Sequence, residues 1–73
     1  MFRISNDTYL EKGYLIQVID EIYEFTVILT QEYSINPCFE YTFKLYGHYV
    51  GQMDDLIEDA IDMYERTLSN IKV

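Results

Sequence analysis

The chain has no tryptophan and only one cysteine, one histidine and one proline. A lone thiol, Cys38, closes no internal disulfide, and Cys38 with His48 supplies too few ligands for a tetrahedral zinc site. Neither a metal nor another cofactor is expected, and a reducing, cytoplasmic setting fits. Basic residues are scarce too: five Lys and Arg stand against thirteen Asp and Glu, for a net charge of -8. That sign works against direct contact with nucleic-acid phosphates or anionic lipid. No apolar run approaches the roughly 20 residues of a membrane span. Met1 to Asn6 lacks the basic stretch and apolar run of a signal peptide, so neither secretion nor membrane insertion is indicated. What is present is core material: hydrophobic residues make up 49% of the 73 residues, with eight Tyr and four Phe. This is far from the composition of a disordered chain and sufficient for one domain over residues 1–73. A chain of this mass buries only roughly 60% of its unfolded surface, so most of its apolar residues are needed for folding.

The C-terminal third is the most legible part. Asp54 and Asp55 put two acids in a first helical turn, and neither Gly nor Pro follows through Val73, which predicts a helix over Met53 to Asn70. At about 100° per residue, Met53, Leu56, Ile57, Ala60, Ile61, Tyr64, Leu68 and Ile71 share one face, that of the core. Asp54, Asp55, Glu58, Asp59, Asp62 and Glu65 share the solvent face nearly opposite. Phe39 to Leu45 alternates with period two, its aromatics and Leu at odd, inward positions, Tyr41 among them. Tyr23 to Thr30 repeats the parity, with Tyr23, Phe25, Val27 and Leu29 inward and Glu24, Thr26 and Thr30 outward. Asn36-Pro37 turns the chain between these two antiparallel strands. Tyr14 to Ile19 reads as a third strand from its β-branched residues, joined to the next by a turn through Ile22. The helical spacing of Leu15, Val18, Ile19 and Ile22 keeps an α-β-β-α order as the alternative. Met1 to Lys12 reads either as a short strand or as an ordered arm. The expected fold is α+β, with a three-stranded antiparallel sheet (β-β-β-α) packed on a C-terminal amphipathic helix.

Conventional catalytic chemistry has little to work with. Cys38 and His48 are the one thiol and the one imidazole, and neither a thiol-activating group nor an orienting third residue accompanies them. At a strand start after Pro37, Cys38 reads as a small core residue, and His48, between Gly47 and Gly51, as a structural or contact residue. The acids of the helix lack the alternating oxygen ligands and central Gly of a calcium loop. They also project from one helix rather than face each other across a cleft as glycosidase carboxylates do. No enzyme activity is expected.

Two features point to binding instead. From Asp54 to Glu65 the acid stripe spans about 16 Å, a length over which one DNA strand presents roughly five phosphates. Such a surface is attracted to Lys and Arg grooves, although an acidic outer face also keeps a small domain soluble. Aromatics provide the second feature. Tyr33, Tyr46 and Tyr49 fall in or beside loops, where Tyr anchors interfaces or lids the edge of a small core.

The whole-chain pattern, β-β-β-α with an acid-faced final helix (Asp54-Asp55-x-x-Glu58-Asp59-x-x-Asp62-x-x-Glu65) and no active-site motif, resembles the small acidic inhibitors made by bacteriophages. Anti-CRISPR proteins and DNA-mimic anti-restriction proteins are the nearest kinds. The resemblance implies a non-enzymatic protein acting in the host cytoplasm on a basic nucleic-acid-binding host protein, such as a Cas effector or nuclease, and blocking its DNA or RNA site. The six stripe carboxylates would pair with Lys and Arg, with Tyr46 and Tyr49 as aromatic anchors. Self-association through a sheet edge or the second sheet face, as in a homodimeric structural or regulatory subunit, is the rival reading.

Overall fold

The computed structural model describes residues 1–44 and, with the Ile71 side chain excepted, 53–71. Five strands precede one helix: β1 (Phe2–Ser5), β2 (Thr8–Glu11), β3 (Tyr14–Asp20), β4 (Glu24–Gln31), β5 (Phe39–Lys44) and α1 (Met53–Ile71). The strands form one antiparallel sheet in the order β1-β2-β3-β4-β5. The architecture is therefore α+β with a C-terminal helix as expected, but the sheet has five strands rather than three. The three expected strands are β3, β4 and β5, and the alternative that begins with a helix does not occur.

The additional pair comes from Met1 to Lys12, which forms two short strands rather than one strand or an arm. Lys12 and Gly13 both adopt positive φ, 53° and 83°, the backbone of a two-residue hairpin turn matched to strand twist. Glu11 and Tyr14 pair across it. Gly takes that conformation freely, whereas Lys12 does so against its Cβ. The preceding turn is held by side chains instead. The Asp7 carboxylate accepts hydrogen bonds from Ser5 Oγ at 3.0 Å and Thr8 Oγ1 at 3.1 Å, and these two bonds draw its pKa below the usual value. Arg3 donates to Asn6 Oδ1 at 2.8 Å and to the Ser5 carbonyl at 3.0 Å. One extra residue lies on β1 between Arg3 and Ser5, a bulge that bends the edge strand.

One face of the sheet carries the core. Tyr9, Tyr14, Ile16, Val18, Phe25, Val27 and Leu29 are buried against Leu56, Ile57, Ala60, Ile61 and Tyr64 of α1. Ala60, fully buried, adds little bulk where the helix meets the strands. Tyr9 donates its hydroxyl to Met53 Sδ at 3.1 Å and ties β2 to the start of α1.

The period-two and helical patterns set side-chain direction correctly at most positions and coverage at fewer. Tyr23 precedes β4 and is 73% exposed, because the Glu21 amide donates to the Glu24 carbonyl at 2.8 Å and closes a turn where alternation was expected to continue. Tyr41 pairs with Val27 and shares the core face, yet on the last strand it is 41% exposed. Leu68 is 40% exposed, so among the described side chains the last buried member of the apolar stripe is Tyr64. Conversely, Thr26 and Thr30 point away from α1 but are buried. Both lie on β4 with partners across the ladder, Thr30 opposite Leu15 and Thr26 between Ile19 and Thr42, and Thr26 and Thr42 share a hydrogen bond of 2.9 Å. Leu45, expected at the end of β5, and Tyr46, His48 and Tyr49 lie outside the described residues, as does the side chain of Ile71.

Replacing Lys12 by Asn, which tolerates positive φ and favours this turn, is expected to stabilise the protein by about 0.5–1 kcal/mol. Urea unfolding of Lys12→Asn beside the parent checks this; an unchanged or lower midpoint contradicts the turn assignment.

Candidate functional site

All six stripe carboxylates, Asp54, Asp55, Glu58, Asp59, Asp62 and Glu65, are exposed on α1. The same packing that buries Leu56, Ile57, Ala60 and Ile61 forces this arrangement, since a helix that docks one face must present the other. Asp54 and Asp55 occupy the first turn, where negative charge is favourable beside the unpaired amides of the helix start.

The stripe is not uniform. Arg66 lies four residues after Asp62 and falls within the acidic arc, a position the sequence reading left out. Asp59, Asp62 and Arg66 join Met63 of α1 and Tyr41 and Phe43 of β5 around a groove of about 270 Å³. The β5 aromatics form a ladder along it: Phe39 and Tyr41 are parallel within 3° at a centroid distance of 6.5 Å, and Tyr41 meets Phe43 edge-on at 4.8 Å. Spacing of Asp62 and Arg66 at i and i+4 was the available sequence signal. The meeting of the helix flank with β5 was not readable, because it depends on how α1 crosses the sheet.

Glu65 lies on the other flank of α1, beside a small polar cluster. Tyr64 Oη accepts from Gln31 Nε2 at 3.4 Å and lies beside Cys38, whose thiol donates to the Leu29 carbonyl at 3.4 Å. Tyr14 packs edge-on against Tyr64 at 5.9 Å. The Cys38 side chain beside its hydroxyl and then burial raise the pKa of Tyr64. Burial first, then the Glu65 carboxylate, raises that of Tyr14. Cys38 itself is half-buried and packs against the core, the arrangement of a structural thiol held by neutral partners.

Exposed apolar side chains also sit at loop tips, Ile22 and Tyr23 between β3 and β4 and Tyr33 and Ile35 between β4 and β5, and on the strands, Phe2 and Ile4 of β1 and Ile19 of β3. Among the described residues no three His, Cys, Asp or Glu side chains converge as a metal site, and no helix is long and apolar enough to cross a membrane. The chain matches no family model, no curated protein and no solved structure.

Two raised tyrosine pKa values have a defined consequence. The unfolded chain loses those two protons first as pH climbs, so the stabilisation is intact below about pH 10 and declines above it. Titration followed by tyrosinate absorbance should show a late-ionising fraction that Tyr14→Phe and Tyr64→Phe each reduce. A single early transition in the folded protein contradicts the cluster.

Proposed function

We propose that this protein is a non-enzymatic binding protein of the phage-inhibitor kind, which lays the acidic face of α1 on a basic nucleic-acid-handling protein and so obstructs its DNA or RNA site. The observation that carries the reading is the exposure of six carboxylates on one rigid helix of a chain with net charge -8. Their span and density are those of a nucleic-acid strand to a row of Lys and Arg side chains. Oriented charge of this kind steers encounter and makes affinity fall with salt. A helix packed through Leu56, Ile57, Ala60 and Ile61 holds the charges without further ordering on binding, which lowers the entropic cost of association.

A second reading is self-association through the sheet face turned away from α1. Phe2 and Ile19 are exposed there, 68% and 49%, beside half-buried Leu10, Leu15 and Ile28, and no described element covers them. Equilibrium sedimentation separates the readings, because a tight dimer insensitive to salt supports the second.

Reversal of Glu58, Asp59 and Asp62 to Lys leaves the core untouched. It should weaken capture of a basic nuclease or Cas effector from bacterial lysate by about 100-fold or more, with helix content unchanged by circular dichroism. Capture that survives both the triple variant and high salt would remove the acidic face from the binding surface.

A further inference from the structure

On the foundation of that docking role, we propose that the groove between β5 and α1 is the specificity pocket of the acidic face, taking one arginine side chain of the partner. Its walls carry the two chemistries that recognise a guanidinium. Tyr41 and Phe43 offer aromatic surface on one side, and Asp59 and Asp62 offer carboxylates on the other. A guanidinium is planar and weakly hydrated, stacks on aromatic rings and presents paired N–H donors to a carboxylate. An ammonium supplies a point charge without that fork, so arginine is the better occupant.

The ladder formed by Phe39, Tyr41 and Phe43 holds the aromatic wall in place, and Tyr41 remains 41% exposed, so its ring is open to a ligand. About 270 Å³ is room for an arginine side chain. Asp54, Asp55 and Glu58 do not line this groove and supply the less selective attraction. Arg66 lines the same groove and is the internal rival: four residues from Asp62, its own guanidinium competes for the carboxylates that the incoming arginine needs. Removing Arg66 should therefore strengthen binding, an outcome that damage to the fold would not produce.

Met63 is a built-in reporter, since it lines the groove while Met53 contacts Tyr9 near the start of α1. The test is NMR of ¹³C-methyl methionine protein titrated at low salt with blocked Gly-Arg-Gly and, separately, Gly-Lys-Gly. The Met63 methyl should shift with the arginine peptide and less with the lysine peptide, while Met1 and Met53 stay in place. Tyr41→Leu should weaken the arginine peptide about fivefold, and Arg66→Gln should tighten it about two- to threefold. Equal shifts at all three methyls, equal affinity for both peptides, or binding indifferent to Tyr41 and Arg66 would overturn the pocket. So would no shift at tens of millimolar peptide. Those results leave the broader docking role standing, because that role fails separately, through undiminished partner capture by the triple Lys variant.

Discussion

Everything in this protein depends on one contact layer, the packing of Leu56, Ile57, Ala60, Ile61 and Tyr64 against Ile16, Val18, Phe25, Val27 and Leu29. A chain of this length has apolar material for a single core, and one helix on one sheet face is the arrangement that uses it. That layer also fixes what the outside can be. With the apolar stripe of α1 committed to the sheet, its acids have only solvent to face. Stability and the negative surface are consequences of the same amphipathic helix, so the acidic face can be altered without touching the contacts that hold the fold.

The two sides of α1 differ in what the sheet brings to them. On the flank of Glu65 lie Cys38 and the buried Tyr14 and Tyr64, whose pKa values are raised, that of Tyr14 chiefly by burial and that of Tyr64 by Cys38 and then burial. On the flank of Asp59 and Asp62 the edge strand β5 leaves Tyr41 partly uncovered beside Phe43. Charge alone would make the acidic face a general attractant for cations. Aromatic surface next to two of its carboxylates adds shape and stacking, which a partner can match or fail to match.

Much of the fold was legible in the residues, and the misses have physical reasons. β4, β5 and α1 announce themselves because period two and period 3.6 are long enough there to be unambiguous, whereas β3 reads as a strand from its β-branched residues while its apolar spacing also fits a helix. β1 and β2 are four residues each, and their hairpins turn on Asn6-Asp7 and Lys12-Gly13 rather than on the Asn-Gly or Asp-Gly pairs that mark such turns. Side-chain hydrogen bonds around Asp7 and the left-handed conformation of Lys12 take the place of that signal. Tyr23, Tyr41 and Leu68 show a different limit: periodicity gives the direction of a side chain, while coverage depends on where a turn closes and how far the opposite layer reaches. The six carboxylates of the acidic face were legible, since one helix carries them, while Arg66 within the same arc was passed over. The groove beside it was not, since Tyr41 and Phe43 meet Asp59, Asp62 and Arg66 only through tertiary packing.

Competition on a captured partner tests the account most directly. A duplex DNA substrate and this protein should exclude each other on the same basic protein, with the apparent affinity of each falling in proportion to the concentration of the other and both weakening with salt. Simultaneous binding of DNA and this protein, with neither affecting the other's affinity, would contradict the claim that the acidic face of α1 occupies a nucleic-acid site.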